Sequence, residues 1–344
     1  MPVLSAKLNL NNFDIKEFII DKAMYFVLLV LILLIIVVEP QFLSLSNFTN
    51  IAAQSATRII IALGAAMVLI IRGVDLAAGR MIGLAAVVSA SLLQAADFPF
   101  RMHPNLPELP VFVPILLVMV ICGAFGAISG ISCSVFKVPP FIATLAMSLL
   151  LFGVTSLYFD RPPYGAMPIG GISREFTAIA TGSLMVGSLR VPYLIMIAAV
   201  VAVIIWLLWN KTKFGKYMYA IGGNPEAAKV SGVNVTSMII WVYVIASMMY
   251  AFAATLEVAR IGSASNNTGN GHELDAIAAC VVGGVSLAGG VGKVGGVVVG
   301  VLIFTVINYG LSFIGVNMYY QFIVKGLIIL VAVVIDMRKY KKQK

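Results

Sequence analysis

Apolar stretches long enough to cross a bilayer follow one another almost without interruption from Met24 to Asp336, separated by short polar breaks. A helix needs about 20 apolar residues to traverse hydrocarbon, and no open sheet or irregular segment can do so facing lipid. The stretches lie at 24–38, 50–71, 76–95, 112–132, 141–159, 191–209, 235–258, 274–290, 294–313 and 319–336. They predict an all-α integral membrane protein of about ten transmembrane helices. Composition agrees: 61% of residues are hydrophobic and 11% charged, with mean hydropathy +1.03, where a soluble domain carries about 25% charged residues. The first stretch is preceded by a long segment of mixed charge and followed by no small-residue cleavage pattern, so it is read as a retained helix rather than a signal peptide.

The net charge of +9 could suggest a nucleic-acid partner, but the basic residues are scattered between apolar stretches. Orientation in the membrane accounts for them. Of the 23 Lys and Arg residues, Arg58 and Lys325 fall inside spans, and Arg101, Arg161, Arg174, Arg190 and Arg260 fall on the side opposite the termini. All the others are assigned to the side of the termini, Arg80 near the start of the third span among them. Short Lys/Arg-rich loops stay in the cytoplasm, so both termini are expected there. Cys122, Cys133 and Cys280 lie in or beside apolar stretches without metal-ligand spacing and read as packing residues.

Spans two to five and seven to ten form two four-helix blocks entered from opposite faces, the plan of an inverted repeat. The expected organisation is a cytoplasmic segment 1–23, a membrane domain 24–336 with repeats at about 50–159 and 235–336, and a basic tail 337–344. The echo between repeats is faint: Asp75 precedes the third span and Glu273 and Asp275 open the eighth. At 72–75 the second and third spans nearly merge, which leaves a tight turn or a helix broken inside the membrane.

The longest polar stretch assigned to the cytoplasm is 210–234. Gly222, Gly223 and Pro225 punctuate a turn, Asn224 can cap, and Pro225, Glu226, Ala227, Ala228 and Lys229 begin a short surface helix. An ordinary loop helix bearing retention charges is the plain reading, and a docking element for a cytoplasmic motor is the functional one. The run Val281–Gly300 contains a formal G-x-G-x-x-G at Gly290–Gly295, but membrane spans flank it and the strand a dinucleotide site needs is missing. Close helix packing in lipid explains its glycines better.

Ionisable groups in or near spans are costly, and Arg58, Asp75, Glu257, Glu273, Asp275 and Lys325 each need a partner or a role. Asp75 lies near Arg72 and Arg80 and can form a structural ion pair. The stretch Arg260–Asp275 is rich in hydroxyl and amide groups, so Ser265, Asn266, Asn267, Glu273 and Asp275 join Asp75 as candidates for a substrate path or gate, against the plain reading of a solvated loop. With only His103 and His272 in the chain, a histidine-based metal site or catalytic dyad has few partners.

The motif FGKYMYAIGGNPEAAKVSGVNV, with IIRGVDLAAGR before it and HELDAIAACVVGGVSLAGGVG after it, resembles the permease subunits of ribose- and galactose-type monosaccharide ABC importers. The likeness runs from the first span to the C-terminus, and ELDAIAACVVGG and FTVINYGLSFIGVN are most similar to the galactose/methyl-galactoside branch. The resemblance implies a homodimer in a bacterial inner membrane, fed by a periplasmic sugar-binding protein and driven by a cytoplasmic ATPase with two nucleotide-binding domains. ATP and Mg would sit in that ATPase, and this chain would bind no cofactor. The resemblance also implies that the loop from Gly222 to Lys229 is the ATPase contact and that the cargo is galactose or a methyl-galactoside. A stand-alone ion-coupled sugar transporter is the rival reading, since it too would show inverted repeats and buried carboxylates. No catalytic constellation for an enzyme can be assembled.

Overall fold

The computed structural model describes residues 29–30, 32–162, 165–186 and 189–342. The expected N-terminal segment 1–23 and the start of the first span lie outside the described residues. Residues 32–38 are helical and lead through a 3-10 turn, Pro40–Leu43, into α1 (Leu45–Ile70). Ser44 opens α1 by accepting a hydrogen bond from the Asn47 amide, which satisfies one of the free N–H groups of the first turn. Then come α2 (Ala78–Leu92), α3 (Phe112–Ser134), α4 (Pro140–Phe159) and the short α5 (Arg174–Thr181). A small antiparallel hairpin of β1 (Ser183–Val186) and β2 (Leu189–Pro192) precedes α6 (Tyr193–Lys211), α7 (Lys213–Gly223) and α8 (Pro225–Val230). The chain continues with α9 (Val235–Ile261), α10 (His272–Val282), α11 (Val294–Phe313) and α12 (Met318–Lys342).

Six helices among the described residues are long and apolar enough to cross a membrane: α1, α3, α4, α6, α9 and α11. Their burial separates centre from periphery, because 83% of the apolar window of α1 is buried against 22% for α4 and α6. α1 is therefore the hub, and α4 and α6 show most of their apolar surface to lipid. Glycines permit the closest approaches. On α3, Gly126 and Gly130 face α9 so tightly that a Cβ would stand 2.7 Å from the Tyr243 carbonyl oxygen and 2.7 Å from Ile240 Cα respectively. Gly64 lets α1 approach the Ala246 carbonyl of the same helix. Without a hydrophobic drive between helices in lipid, such small-residue seams supply packing contact instead.

The structure departs from the sequence expectation at the third and eighth spans. α2 has 15 residues and α10 has 11, which at 1.5 Å per residue gives about 22 and 16 Å, short of a hydrocarbon core of about 30 Å. Residues expected to continue the eighth span, 283–290, form a loop instead. Its glycines do serve packing, as proposed from sequence: a Cβ on Gly283 or Gly296 would overlap the other's carbonyl oxygen. The two short helices begin close together, since a Cβ on Gly79 in α2 would overlap the Glu273 carboxylate of α10. The tail expected from 337 onward continues α12 as helix to Lys342.

Candidate functional site

The polar stretch 210–234 folds as two helices rather than one. Thr212 opens α7 by accepting from the Gly215 amide at 3.4 Å. Gly222 and Gly223 are the last residues of α7, so the turn expected at these glycines falls at Asn224 instead. Asn224 Oδ1 accepts from the amides of Glu226 at 3.0 Å and Ala227 at 3.1 Å, and Pro225 occupies the first helical position, where a missing N–H costs nothing. Glu226 in the first turn and Lys229 in the last complement the dipole of α8. The short surface helix expected from sequence is thus present. Gly223, Asn224, Glu226, Ala227 and Lys229 are exposed, Pro225 is half-buried, and Gly222 and Ala228 are buried beneath them. Val230 stands 90% exposed beside them, a bare apolar side chain on an otherwise polar knob.

Two segments distant in sequence, 70–72 and 290–292, fasten this knob to the membrane domain. Arg72, just past α1, donates from Nε to the Gly222 carbonyl at 2.7 Å and from Nη2 to the Gly223 carbonyl. The Gly290 amide donates to the Ile70 carbonyl at 2.8 Å, and Tyr219 donates to the Gly292 carbonyl at 2.8 Å. At their crossing Gly222 has no room for a side chain, since a Cβ would overlap the Ile70 carbonyl oxygen and stand 2.5 Å from Gly290 N. The cation of Arg72 therefore satisfies the free carbonyls at the C-terminus of α7, where positive charge is favoured. Sequence reasoning saw Arg72 only as a retention charge or a partner for Asp75. No local spacing pairs it with Gly222, 150 positions away.

The candidate path residues divide. Asp75 is 3% exposed, its Oδ1 accepts from the Ala77 amide at 3.0 Å, and its carboxylate faces the Tyr250 hydroxyl. The expected ion pair with Arg72 or Arg80 does not form: Arg72 binds carbonyls, and Arg80 donates to Asn270 at 3.0 Å and covers the Phe152 ring. Ser265 and Asn267 belong to a local turn, with Ser265 N donating to Thr268 Oγ1 at 2.9 Å and Asn267 N to Ser265 Oγ at 3.3 Å. Asn266 reaches across to Ser156 at 3.2 Å. Glu273 packs against Gly79 at the start of α2, whereas Asp275 looks the other way and accepts from Lys325 Nζ at 3.0 Å. His272 Nδ1 lies 3.7 Å from Glu257. Asp75 and Glu273 thus sit at the start of α2, and Asp275 belongs to a separate cluster with Lys325.

A family profile described as branched-chain amino acid transport system / permease component matches residues 47–333. The galactose/methyl galactoside import permease protein MglC of Haemophilus influenzae is 52% identical over 99% of this chain and 100% of its own length. Its counterpart in Escherichia coli is 50% identical over 97% and 99%, and the ribose import permease protein RbsC of Escherichia coli 36% over 94% and 96%. No solved structure matches the chain. With the profile spanning nearly the whole described membrane domain, the chain belongs to the branched-chain amino acid transport system / permease component family.

Proposed function

We propose that this chain is the membrane permease subunit of an ABC importer that carries galactose or a methyl galactoside across the bacterial inner membrane into the cytoplasm. The carrying observation is full-length identity of 50–52% to proteins named for that import. The family description mentions branched-chain amino acids, but the relatives that align end to end are named for sugars, including the ribose permease at 36%. The chain is a transporter subunit and not an enzyme. Hydrolysis of ATP, with its Mg, belongs to a separate ATPase subunit, and sugar is delivered by a periplasmic binding protein.

The exposed knob Gly223–Val230 is the surface on which the ATPase docks, with Gly222 and Arg72 holding it to α1. The bare Val230 among exposed Glu226 and Lys229 supports this, since apolar centres within polar rims are how docking patches are built. Two copies assemble around the path, a reading that rests on the family resemblance. Ten crossings arranged as two inverted repeats remain the best layout, with α2 and α10 as the interrupted members of each half. Two short helices, each preceded by non-helical backbone, support that pairing. Asp75, Ser265, Asn266, Asn267 and Glu273 line or gate the path where α2 meets the 262–271 loop, and Asp275 acts through Lys325.

Both termini face the cytoplasm, together with the knob. Cysteines introduced at Thr212 and Ser173, in a background lacking Cys122, Cys133 and Cys280, then label from opposite sides of the membrane. Labelling of Thr212→Cys by an impermeant reagent in intact spheroplasts overturns the orientation. The function itself is tested by reconstituting the chain with the ATPase and the binding protein in proteoliposomes. ATP-dependent galactose accumulation is expected, and uphill uptake by the chain alone under an ion gradient establishes the secondary-transporter reading instead.

A further inference from the structure

Three membrane helices each carry a polar pair at i and i+4, and all three pairs line one cleft: Gln54 and Arg58 on α1, Asn308 and Ser312 on α11, Gln321 and Lys325 on α12. That spacing places both members of a pair on one helix face. The cleft has a volume of about 470 Å³ and is shared with aromatic rings, Phe322 among them, which falls in the range of about 300–1,000 Å³ for small-molecule sites. It lies toward the end of the molecule opposite the α7–α8 knob, because α1 enters and α11 leaves at that end. Arg58 and Lys325 stood out in the sequence only as charges needing partners, and Asn308, Tyr309, Ser312 and Phe313 only as part of the family-like stretch FTVINYGLSFIGVN.

Asn308 marks the floor of this cleft. It is 8% exposed, and neither its amide oxygen nor its amide nitrogen has a hydrogen-bond partner among the described residues. An unpaired amide in a membrane interior is costly enough to demand an occupant or a function. Arg58 Nη1 is buried and unpartnered in the same place. Lys325, by contrast, is neutralised by Asp275 at 3.0 Å. Beyond Arg58 and Asn308 the space shrinks to about 20 Å³ lined by Ile61, Val301 and Phe304 together with His272 and Asp275, room for about one water. The cleft is therefore open above Asn308 and narrows below it to this small space, where Ile61, Val301 and Phe304 supply the apolar part of the wall.

We propose, on the basis of the importer reading, that this cleft is a transit site for a neutral monosaccharide, with Asn308 and Arg58 as its polar floor and Phe304 with Val301 as the closed gate beneath. A sugar hydroxyl both donates and accepts, and so does a carboxamide, whereas the guanidinium of Arg58 donates to hydroxyl oxygens. The ring of Phe322 gives a surface for the C–H face of the sugar. Asp75 and Glu273 lie outside this cleft, so it is a polar station separate from the one where α2 meets the 262–271 loop.

The test uses the assembled complex of permease, ATPase and binding protein in proteoliposomes. Asn308→Leu removes the amide at nearly constant volume and is expected to lower ATP-driven galactose uptake at least tenfold while the ATPase still co-purifies, and Asn308→Gln recovers part of the loss. Uptake within twofold of the parent in Asn308→Leu overturns the assignment. A second measurement does not depend on that variant assembling. Ser312→Cys, in a background without the native cysteines, should react with a thiol reagent more slowly in millimolar galactose than in equimolar sucrose, and the bulky adduct should block uptake. Equal labelling rates, or undiminished uptake after labelling, sink the proposal. If the parent complex takes up no monosaccharide, the importer reading fails; if the parent transports and both variants behave like it, only the transit site fails.

Discussion

Arg72 Nε donates to the carbonyl of Gly222 at 2.7 Å, joining the exit of the most buried of the six long apolar helices to the base of the exposed knob. Arg72 itself holds a left-handed backbone, φ 65°, a conformation that costs a non-glycine residue about 1–2 kcal/mol. The surrounding contacts must outweigh that cost. Hydrogen bonds from a charged donor contribute about 1.5–3 kcal/mol, so Arg72→Ala should loosen the knob without unfolding the membrane domain. The expected outcome is weaker ATPase co-purification and a several-fold loss of hydrolysis stimulated by loaded binding protein, with thermal unfolding of the purified permease lowered by a few degrees.

The two adjacent glycines of the knob should behave oppositely. Gly222 has backbone atoms of Ile70 and Gly290 where a Cβ would stand, and Gly223 has nothing within 4 Å. Overpacking against rigid backbone costs about 1–3 kcal/mol, so Gly222→Ala should destabilise the permease while Gly223→Ala leaves its melting temperature near the parent's. Gly223→Val should then affect only docking, because the position is exposed and a Cβ there meets no atom within 4 Å. Comparing melting temperature with ATPase co-purification for the three variants separates the two roles, and equal stability of Gly222→Ala and Gly223→Ala contradicts the packing geometry.

Asp275 and Lys325 form an ion pair at 3.0 Å with side chains about one-fifth exposed, 20% and 19%. Removing one partner leaves an unpaired charge in a poorly hydrated place, which for a fully buried pair costs about 3–5 kcal/mol and here somewhat less. Lys325→Met and Asp275→Asn should each lower thermal stability, and the double variant should recover much of the loss. A double variant as unstable as the sum of the singles rules out this coupling.

In the loop between α2 and α3, His103 Nε2 lies 2.8 Å from the Tyr158 hydroxyl. Burial, with Arg161 and Arg101 nearby, holds the imidazole pKa below its ordinary value. The folded state therefore binds fewer protons than the unfolded one near the imidazole range. Its contribution is present above about pH 6.5 and declines as pH falls below that value. Melting temperature measured from pH 7.5 to 5 should drop more in the parent than in His103→Gln, and parallel curves exclude His103 as a contributor.

Much of the membrane architecture was legible along the chain because lipid imposes a one-dimensional rule: an apolar run of sufficient length must be helical. That rule located α1, α3, α4, α6, α9 and α11 within a few residues, and Asn224, Pro225 and Glu226 announced α8 through local capping chemistry. It placed α2 within three residues, though as a short helix, and failed at α10, where apolar composition continues past the helix: hydropathy records the preference for lipid and says nothing of where the backbone breaks. α10 ends at Val282, with Gly284 in left-handed backbone just beyond it, and Gly289 and Gly290 take the same conformation farther on, where they pack against Ile70 and Gly222. The same limit hid the bond from Arg72 to Gly222 and the meeting of Gln54, Asn308 and Gln321. Each residue is ordinary within its own helix, and only the packing of helices far apart in sequence decides which polar groups share a cleft and which, like Asp275 and Lys325, satisfy one another.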